Sequence, residues 1–153
     1  MRILIATVTA GAGHVAAASA LQEAWRSLRH DDVVECVDLV KFFSPLHKKL
    51  YVGGYVQLVE RAPELWGMIF DKTDNPKLLR QLGRLRRALP SSSRNKFEWY
   101  LKNFKPDVVL CTHFLPLELL GIFRRNEKSP PFVVSVVTDF EAHALWMNSC
   151  VDS

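Results

Sequence analysis

The sequence predicts an α/β fold, an open parallel sheet flanked by helices. Three observations carry that prediction. The chain opens with an apolar run, Arg2-Ile3-Leu4-Ile5-Ala6-Thr7-Val8, followed by a glycine-bearing turn and a helical pattern. A second strand-like run comes directly after that helix, and a strand–helix–strand unit of this length implies a parallel pair with a right-handed crossover. Two further apolar runs, residues 108–112 and 132–137, stand in the second half with helical patterns before and between them.

In chain order, Thr9-Ala10-Gly11-Ala12-Gly13-His14 reads as a tight turn, because glycines let the backbone bend sharply and let a ligand come close. Val15–Leu28 reads as a helix with Ala17, Leu21, Ala24, Trp25 and Leu28 as its apolar positions. Strand, glycine turn and helix aim unpaired N–H groups and the positive end of a helix dipole at a ligand. The turn is not the dinucleotide fingerprint. The third glycine of that pattern is replaced by Ala16, and no phosphate-binding lysine follows. Val33–Leu39 is the second strand. Ser44-Pro45 breaks the chain, and Leu46–Arg61 reads as helical although Gly53-Gly54 lies inside it. Pro63 interrupts, and the aromatic, apolar stretch Glu64–Phe70 follows.

Leu78–Leu89 is the clearest amphipathic helix, with Leu78, Leu82, Leu85 and Leu89 on one face and Arg80, Arg84 and Arg87 on the other. Pro90 and Ser91-Ser92-Ser93 are expected to end it. Asn95–Phe104 predicts another helix, with Phe97, Tyr100, Leu101 and Phe104 inward. Lys105-Pro106-Asp107 turns the chain into the third strand, Val108–Thr112. Leu115–Arg125 predicts a short helix in which Pro116 suits the first turn. Ser129-Pro130-Pro131 is a loop before the fourth strand, Phe132–Val137.

At 153 residues, 48% of them hydrophobic, the chain has the size and composition of one soluble domain. No apolar run is long enough to span a bilayer, and no leader pattern opens the chain, so a cytoplasmic or peripheral location is expected. Cys36, Cys111 and Cys150 are too widely spaced for a metal site. Cys36 and Cys111 lie in strand-like runs, which suggests buried, reduced thiols. The net charge of +4 is uneven: residues 77–105 carry nine basic side chains and one acid, Glu98. Such a stretch implies an anionic partner. It is interleaved with leucine and has no recognised nucleic-acid motif, so no nucleic-acid partner is expected.

Three strands run into histidine-bearing segments: His14, His113 and His143. Ligands of open parallel sheets bind beyond the carboxyl ends of the strands, so all three are expected near one crevice, with Asp139 beside them. One histidine per loop gives no metal-ligand spacing, and no metal is expected. Each histidine alone is also compatible with an ordinary hydrogen-bonded loop residue, His143 above all.

Gly11-Ala12-Gly13-His14 with its alanine-rich helix resembles the N-terminal domain of the monogalactosyldiacylglycerol synthases and processive diacylglycerol glucosyltransferases. The resemblance continues through Tyr51-Val52-Gly53-Gly54-Tyr55 and Ala62-Pro63-Glu64-Leu65-Trp66. It continues again in Lys105-Pro106-Asp107-Val108-Val109, Thr112-His113, Val137-Thr138-Asp139-Phe140, His143 and Trp146. These stretches stand in family order along nearly the whole chain. The glycine loop is more distantly similar to that of the peptidoglycan-precursor glycosyltransferases. The resemblance implies the Rossmann-like N-terminal half of a GT-B fold. That half would hold a diacylglycerol-type acceptor, and a C-terminal domain would bind a UDP-sugar as donor substrate. Transfer would invert the anomeric centre without a metal or other cofactor. Two departures stand out. The family's loop commonly has three glycines, and Ala12 replaces the middle one, which the turn tolerates if Ala12 keeps φ below zero. The chain also stops at Val151-Asp152-Ser153, where the family enters its donor domain, so residues 1–153 are expected to be a single acceptor-binding domain, inactive alone.

Under that resemblance His14 is the candidate base, because an imidazole with an ordinary pKa near ~6.5 suits proton transfer around neutrality. Asp139 is a second candidate, as base, as the group that orients His14, or simply as a cap. Gly11, Ala12, Gly13, His113 and His143 would line the acceptor and phosphate loop. Tyr51, Tyr55 and Trp66 suit the lipid side, and Arg80, Arg84 and Arg87 suit an anionic membrane surface. The rival reading is a non-catalytic α/β module that docks on a membrane or another protein.

Overall fold

The computed structural model describes residues 1–9, 11–54, 58, 61–74, 91–139 and 143–153, and for Pro63, Trp66, Ile69, Phe70 and Thr73 the backbone alone. The helix expected over 78–89, with Arg80, Arg84 and Arg87, lies outside the described residues, as do Tyr55 and the Trp66 side chain.

The first strand, β1 (Arg2–Thr7), is buried from Ile3 onward and forms the middle of the molecule. Helix α1 (Ala12–Leu28) returns the chain to β2 (Val33–Asp38). A 3₁₀ turn (Leu39–Phe42) leads to α2 (Pro45–Lys48), which runs on as a π turn (Lys49–Gly53), and α3 follows (Pro63–Thr73). The second half holds α4 (Ser91–Phe104), β3 (Val108–Cys111), α5 (Phe114–Arg124), β4 (Phe132–Ser135) and a 3₁₀ turn at Ala144–Trp146. The four strands form one sheet in the order β2-β1-β3-β4, and every pairing is parallel. Ile5 sits between Cys36 and Leu110, and Cys111 pairs with Ser135. The predicted α/β class is therefore the observed one, an open parallel sheet in a Rossmann-like arrangement.

Alternation along β1 assigns the layers. Leu4 and Ala6, with Val8 beyond them, join Phe97, Leu101 and Phe104 of α4 and Leu117 and Leu120 of α5 in the larger core. Ile3 and Ile5 point the other way, onto Ala18, Leu21 and Trp25 of α1. Each fully buried aliphatic side chain contributes about 1.5–3 kcal/mol, so the sheet is held from both faces.

Several boundaries differ from expectation. Helix α1 begins at Ala12, not Val15. Gly11, at φ 138° and ψ 143°, takes a conformation that residues with a Cβ rarely adopt, and serves as its N-cap. Ala12 consequently is helical and avoids positive φ. Helix α4 begins at Ser91, so the serines expected to separate two helices form its first turn. A first turn has no i−4 carbonyl to satisfy, and serine's poor interior propensity costs little there. Cys36 is exposed, contrary to the buried thiol expected, because β2 is an edge strand with β1 alone beside it. Cys111 and Cys150 are buried, and burial pushes both thiols up, Cys150 to about 11.

The last residues lie along β4. Asp152 N–H donates to Val133 O (2.8 Å) and Ser135 N–H to Ser153 O (2.9 Å). Arg124 grips the Asp152 carboxylate at 2.8 and 3.1 Å, which holds that carboxyl below its usual range. Among the described residues no helix is long and apolar enough to cross a membrane.

Candidate functional site

The strand order reverses at β1, which has β2 on one side and β3 on the other. Loops leaving β1 and β3 diverge at such a point and leave a crevice at the carboxyl end of the sheet. His14, in the first turn of α1, and His113, two residues beyond β3, meet there with ring centroids 4.6 Å apart, edge to face. Trp146 completes the group, 6.4 Å from the His14 ring and 6.5 Å from that of His113. The segment after β4 adds Thr138, whose Oγ1 lies 2.5 Å from His14 Nδ1.

The histidines are used differently. His113 is buried, and its Nδ1 accepts the Leu115 N–H at 3.0 Å, which makes it the N-cap of α5. Its pKa falls to about 3, chiefly through burial and secondarily through the neighbouring His14. It is a neutral cap with its proton on Nε2. His143 is also buried and accepts the Leu145 N–H at 3.0 Å, capping the 3₁₀ turn that presents Trp146. His14 is half-buried and caps nothing. Beyond the Thr138 contact, its Nε2 has no hydrogen-bond partner among the described residues.

The backbone of His14 is held from two strands. Its carbonyl accepts the hydroxyl of Thr7, the last residue of β1, at 3.2 Å, and that of Thr112, just after β3, at 3.0 Å. The turn before it is tied down by Asp38 at the end of β2. The Asp38 carboxylate accepts from Thr9 N–H (3.2 Å), Thr9 Oγ1–H (2.6 Å) and Val40 N–H (3.0 Å). Gly11, Ala12 and Gly13 are exposed, and no side chain caps the start of α1. Its first N–H groups are therefore open to an anionic group at the positive end of the helix dipole.

Asp139 stands half-buried beside this cluster, and its Oδ2 accepts the Trp146 Nε1–H at 2.6 Å. The group directly on the His14 ring is thus the Thr138 hydroxyl, not the Asp139 carboxylate. Among the described residues no three His, Cys, Asp or Glu side chains gather at metal-binding range. Tyr51 packs edge-to-face on Phe43 at 5.7 Å. Sequence reasoning passed over Thr7, Thr112 and Thr138 as site residues. The signal was there: three threonines at or just beyond the carboxyl ends of β1, β3 and β4.

The sequence pattern of the monogalactosyldiacylglycerol (MGDG) synthase family matches residues 14–153, from the first helical turn to the last residue. The chain belongs to the monogalactosyldiacylglycerol synthase family. The match begins at His14 and takes in Thr112, His113, Thr138, Asp139, His143 and Trp146. Among curated proteins, the chain is 26% identical over 158 residues to the processive diacylglycerol beta-glucosyltransferase of Bacillus cereus strain B4264. It is 25% identical over 154 residues to that of strain 03BB102. In both cases 99% of the chain is covered, but the chain spans 37% of the relative's length. No solved structure matches the chain.

Proposed function

We propose that the chain is the acceptor-side domain of an inverting GT-B glycosyltransferase that moves a hexose from a UDP-sugar to diacylglycerol. The observation that carries this reading is the Nε2 of His14, without a hydrogen-bond partner among the described residues and held at the switch point beside open helix N–H groups, in a chain of this family. In the proposed step His14 Nε2 takes the proton of the acceptor hydroxyl as that oxygen attacks the anomeric carbon. The bond from that carbon to the UDP oxygen breaks, UDP leaves, and the configuration inverts. UDP-sugar is a substrate bound by a further C-terminal domain, and no cofactor takes part. The N–H groups of residues 11–13 face the donor diphosphate when that domain closes. Asp139 orders Trp146 behind the ring and is the second candidate for proton transfer.

The acceptor side is the stretch after β2. Leu46 and Leu50 are 64% and 63% exposed, and Leu65 and Met68 of α3 are 49% and 55% exposed. Lys48, Lys49 and Lys72 are exposed among them. Apolar side chains interspersed with lysines suit peripheral binding to an anionic membrane on the cytoplasmic side, at about 1 kcal/mol per basic residue. Tyr51, Tyr55, Trp66, Arg80, Arg84 and Arg87 extend the same reading along the sequence. The exposed leucines also fit a non-catalytic docking module.

The test joins this chain to its donor domain in one enzyme and offers UDP-galactose or UDP-glucose with diacylglycerol vesicles. The expected product is hexosyl-diacylglycerol. His14→Ala should lower turnover by about 10²–10⁴-fold while the protein stays folded. Near-normal turnover in that variant would remove His14 from the base role, and no transfer with either sugar would favour the docking module.

A further inference from the structure

The Thr138 hydroxyl has a single proton and two neighbours, His14 Nδ1 at 2.5 Å and the carbonyl of Thr112 at 3.2 Å. The carbonyl can only accept. Thr112 is fully buried, and among the described residues the Thr138 hydroxyl is the donor that reaches its oxygen. A buried carbonyl without a partner is costly, so the hydroxyl proton goes to Thr112 O. The Thr138 oxygen is then left as an acceptor toward the ring, and Nδ1 must carry the hydrogen. In a neutral imidazole that leaves Nε2 with its lone pair and no proton.

We infer that Thr138 is the positioning residue of this site: backed by the Thr112 carbonyl, its hydroxyl holds His14 in the Nδ1–H tautomer and presents an unprotonated Nε2 to the acceptor. The catalytic part of this assignment rests on the proposed function above; the tautomer itself does not. Three threonines share the work. Thr7 and Thr112 hydroxyls fix the His14 backbone through its carbonyl, and Thr138 fixes the ring. Asp139, next in sequence, is turned to Trp146 and leaves the ring to the neutral hydroxyl.

The ring can be read directly. Long-range ¹H–¹⁵N correlation spectra of the uniformly labelled 153-residue chain, at a pH where imidazole is neutral, distinguish a protonated from an unprotonated ring nitrogen. The expected result is a protonated Nδ1 and an unprotonated Nε2 at His14. Thr138→Val, which keeps the shape and loses the hydroxyl, should shift the ring toward a mixture of tautomers or to Nε2–H. Thr138→Ser should restore the wild-type pattern. A wild-type His14 protonated on Nε2, or a Thr138→Val spectrum with unchanged tautomers, overturns the assignment. The wild-type spectrum decides even if a variant fails to fold. In the complete enzyme Thr138→Val should lower kcat about 10-fold or more with KM nearly unchanged, and Thr138→Ser should recover it. Unchanged kcat in Thr138→Val would overturn the positioning role. Transfer that survives His14→Ala would remove the base reading instead, so the two failures are told apart.

Discussion

The β1–α1 and β3–α5 turns are two answers to one local problem. Each carries the chain from a buried parallel strand into a helix at the carboxyl end of the sheet, and each places a histidine at the helix start. At β3–α5 the histidine is itself the cap. His113 takes extended backbone angles (φ −151°, ψ 151°), and its Nδ1 meets the Leu115 N–H. At β1–α1 a glycine holds the cap position, and the histidine stands three residues later, in the first turn. Capping consumes a ring nitrogen and buries the ring. Shifting the histidine into the helix leaves the N–H groups open and, among the described residues, one ring nitrogen without a partner. The same residue type is structural in one turn and chemically available in the other because of a displacement of three positions.

If the comparison is right, the stability costs should separate widely. His113→Ala removes a helix cap and leaves a cavity where a buried ring stood, and should destabilise by about 3–4 kcal/mol in urea unfolding. His14→Ala should cost within about 1 kcal/mol, since the ring is half-exposed and caps nothing. Equal costs would mean that the first turn of α1 leans on its histidine as heavily as α5 does.

The next effect is pH-dependent, and its sign follows from His113. Its pKa is depressed from 6.5 to about 3 in the folded chain, so the unfolded chain takes up this proton first as pH falls. Stability is fully present above about pH 6.5 and is lost as pH drops toward 3, by up to about 1.4 kcal/mol per pH unit. Between pH 7 and 5 the loss should be about 2 kcal/mol. Asp32 and Asp152, whose pKa values are lowered from 3.8, act only below that window. His113→Asn keeps a good cap and removes the titration, so its unfolding free energy should stay level from pH 7 to 5. A slope that persists in that variant would assign the effect to another group.

These contrasts mark how far the sequence could be read. The strands were legible because they are short apolar runs bounded by turns, and the parallel order followed from the helices between them. That His14 and His113 meet beyond the carboxyl ends of their strands was legible too; the same expectation included His143, whose ring instead caps the 3₁₀ turn that presents Trp146. Which histidine caps was not. It depends on whether a helix starts at residue 12 or 15, and periodicity does not resolve a boundary that finely. The partner of Asp139 was hidden for a related reason. Trp146 meets it from a 3₁₀ turn that His143 caps, and a turn of three residues leaves no periodic signal in the sequence. The threonines were hidden because a hydroxyl's role is set by its neighbours across strands, not by its place in the run.

The two glycines of the β1–α1 turn offer the finest test. Gly11 sits at φ 138°, so Gly11→Ala is strained whatever room the methyl has, and should cost about 1–3 kcal/mol. Gly13 is already helical, and a methyl built on it meets nothing within 4 Å. Gly13→Ala should therefore stabilise the chain slightly, by about 0.5–1 kcal/mol or less, through the lower entropy of the unfolded state. Urea midpoints of the two variants should move in opposite directions. Opposite shifts would show that one glycine is required by the backbone and the other is not. The open space above Gly13 then needs a different explanation, and the proposed function supplies one, because a ligand approaching the first turn of α1 would meet that methyl. A Gly13→Ala enzyme that is more stable yet has a raised KM would place the ligand against this turn. A more stable enzyme with unchanged KM would place the ligand elsewhere in the crevice.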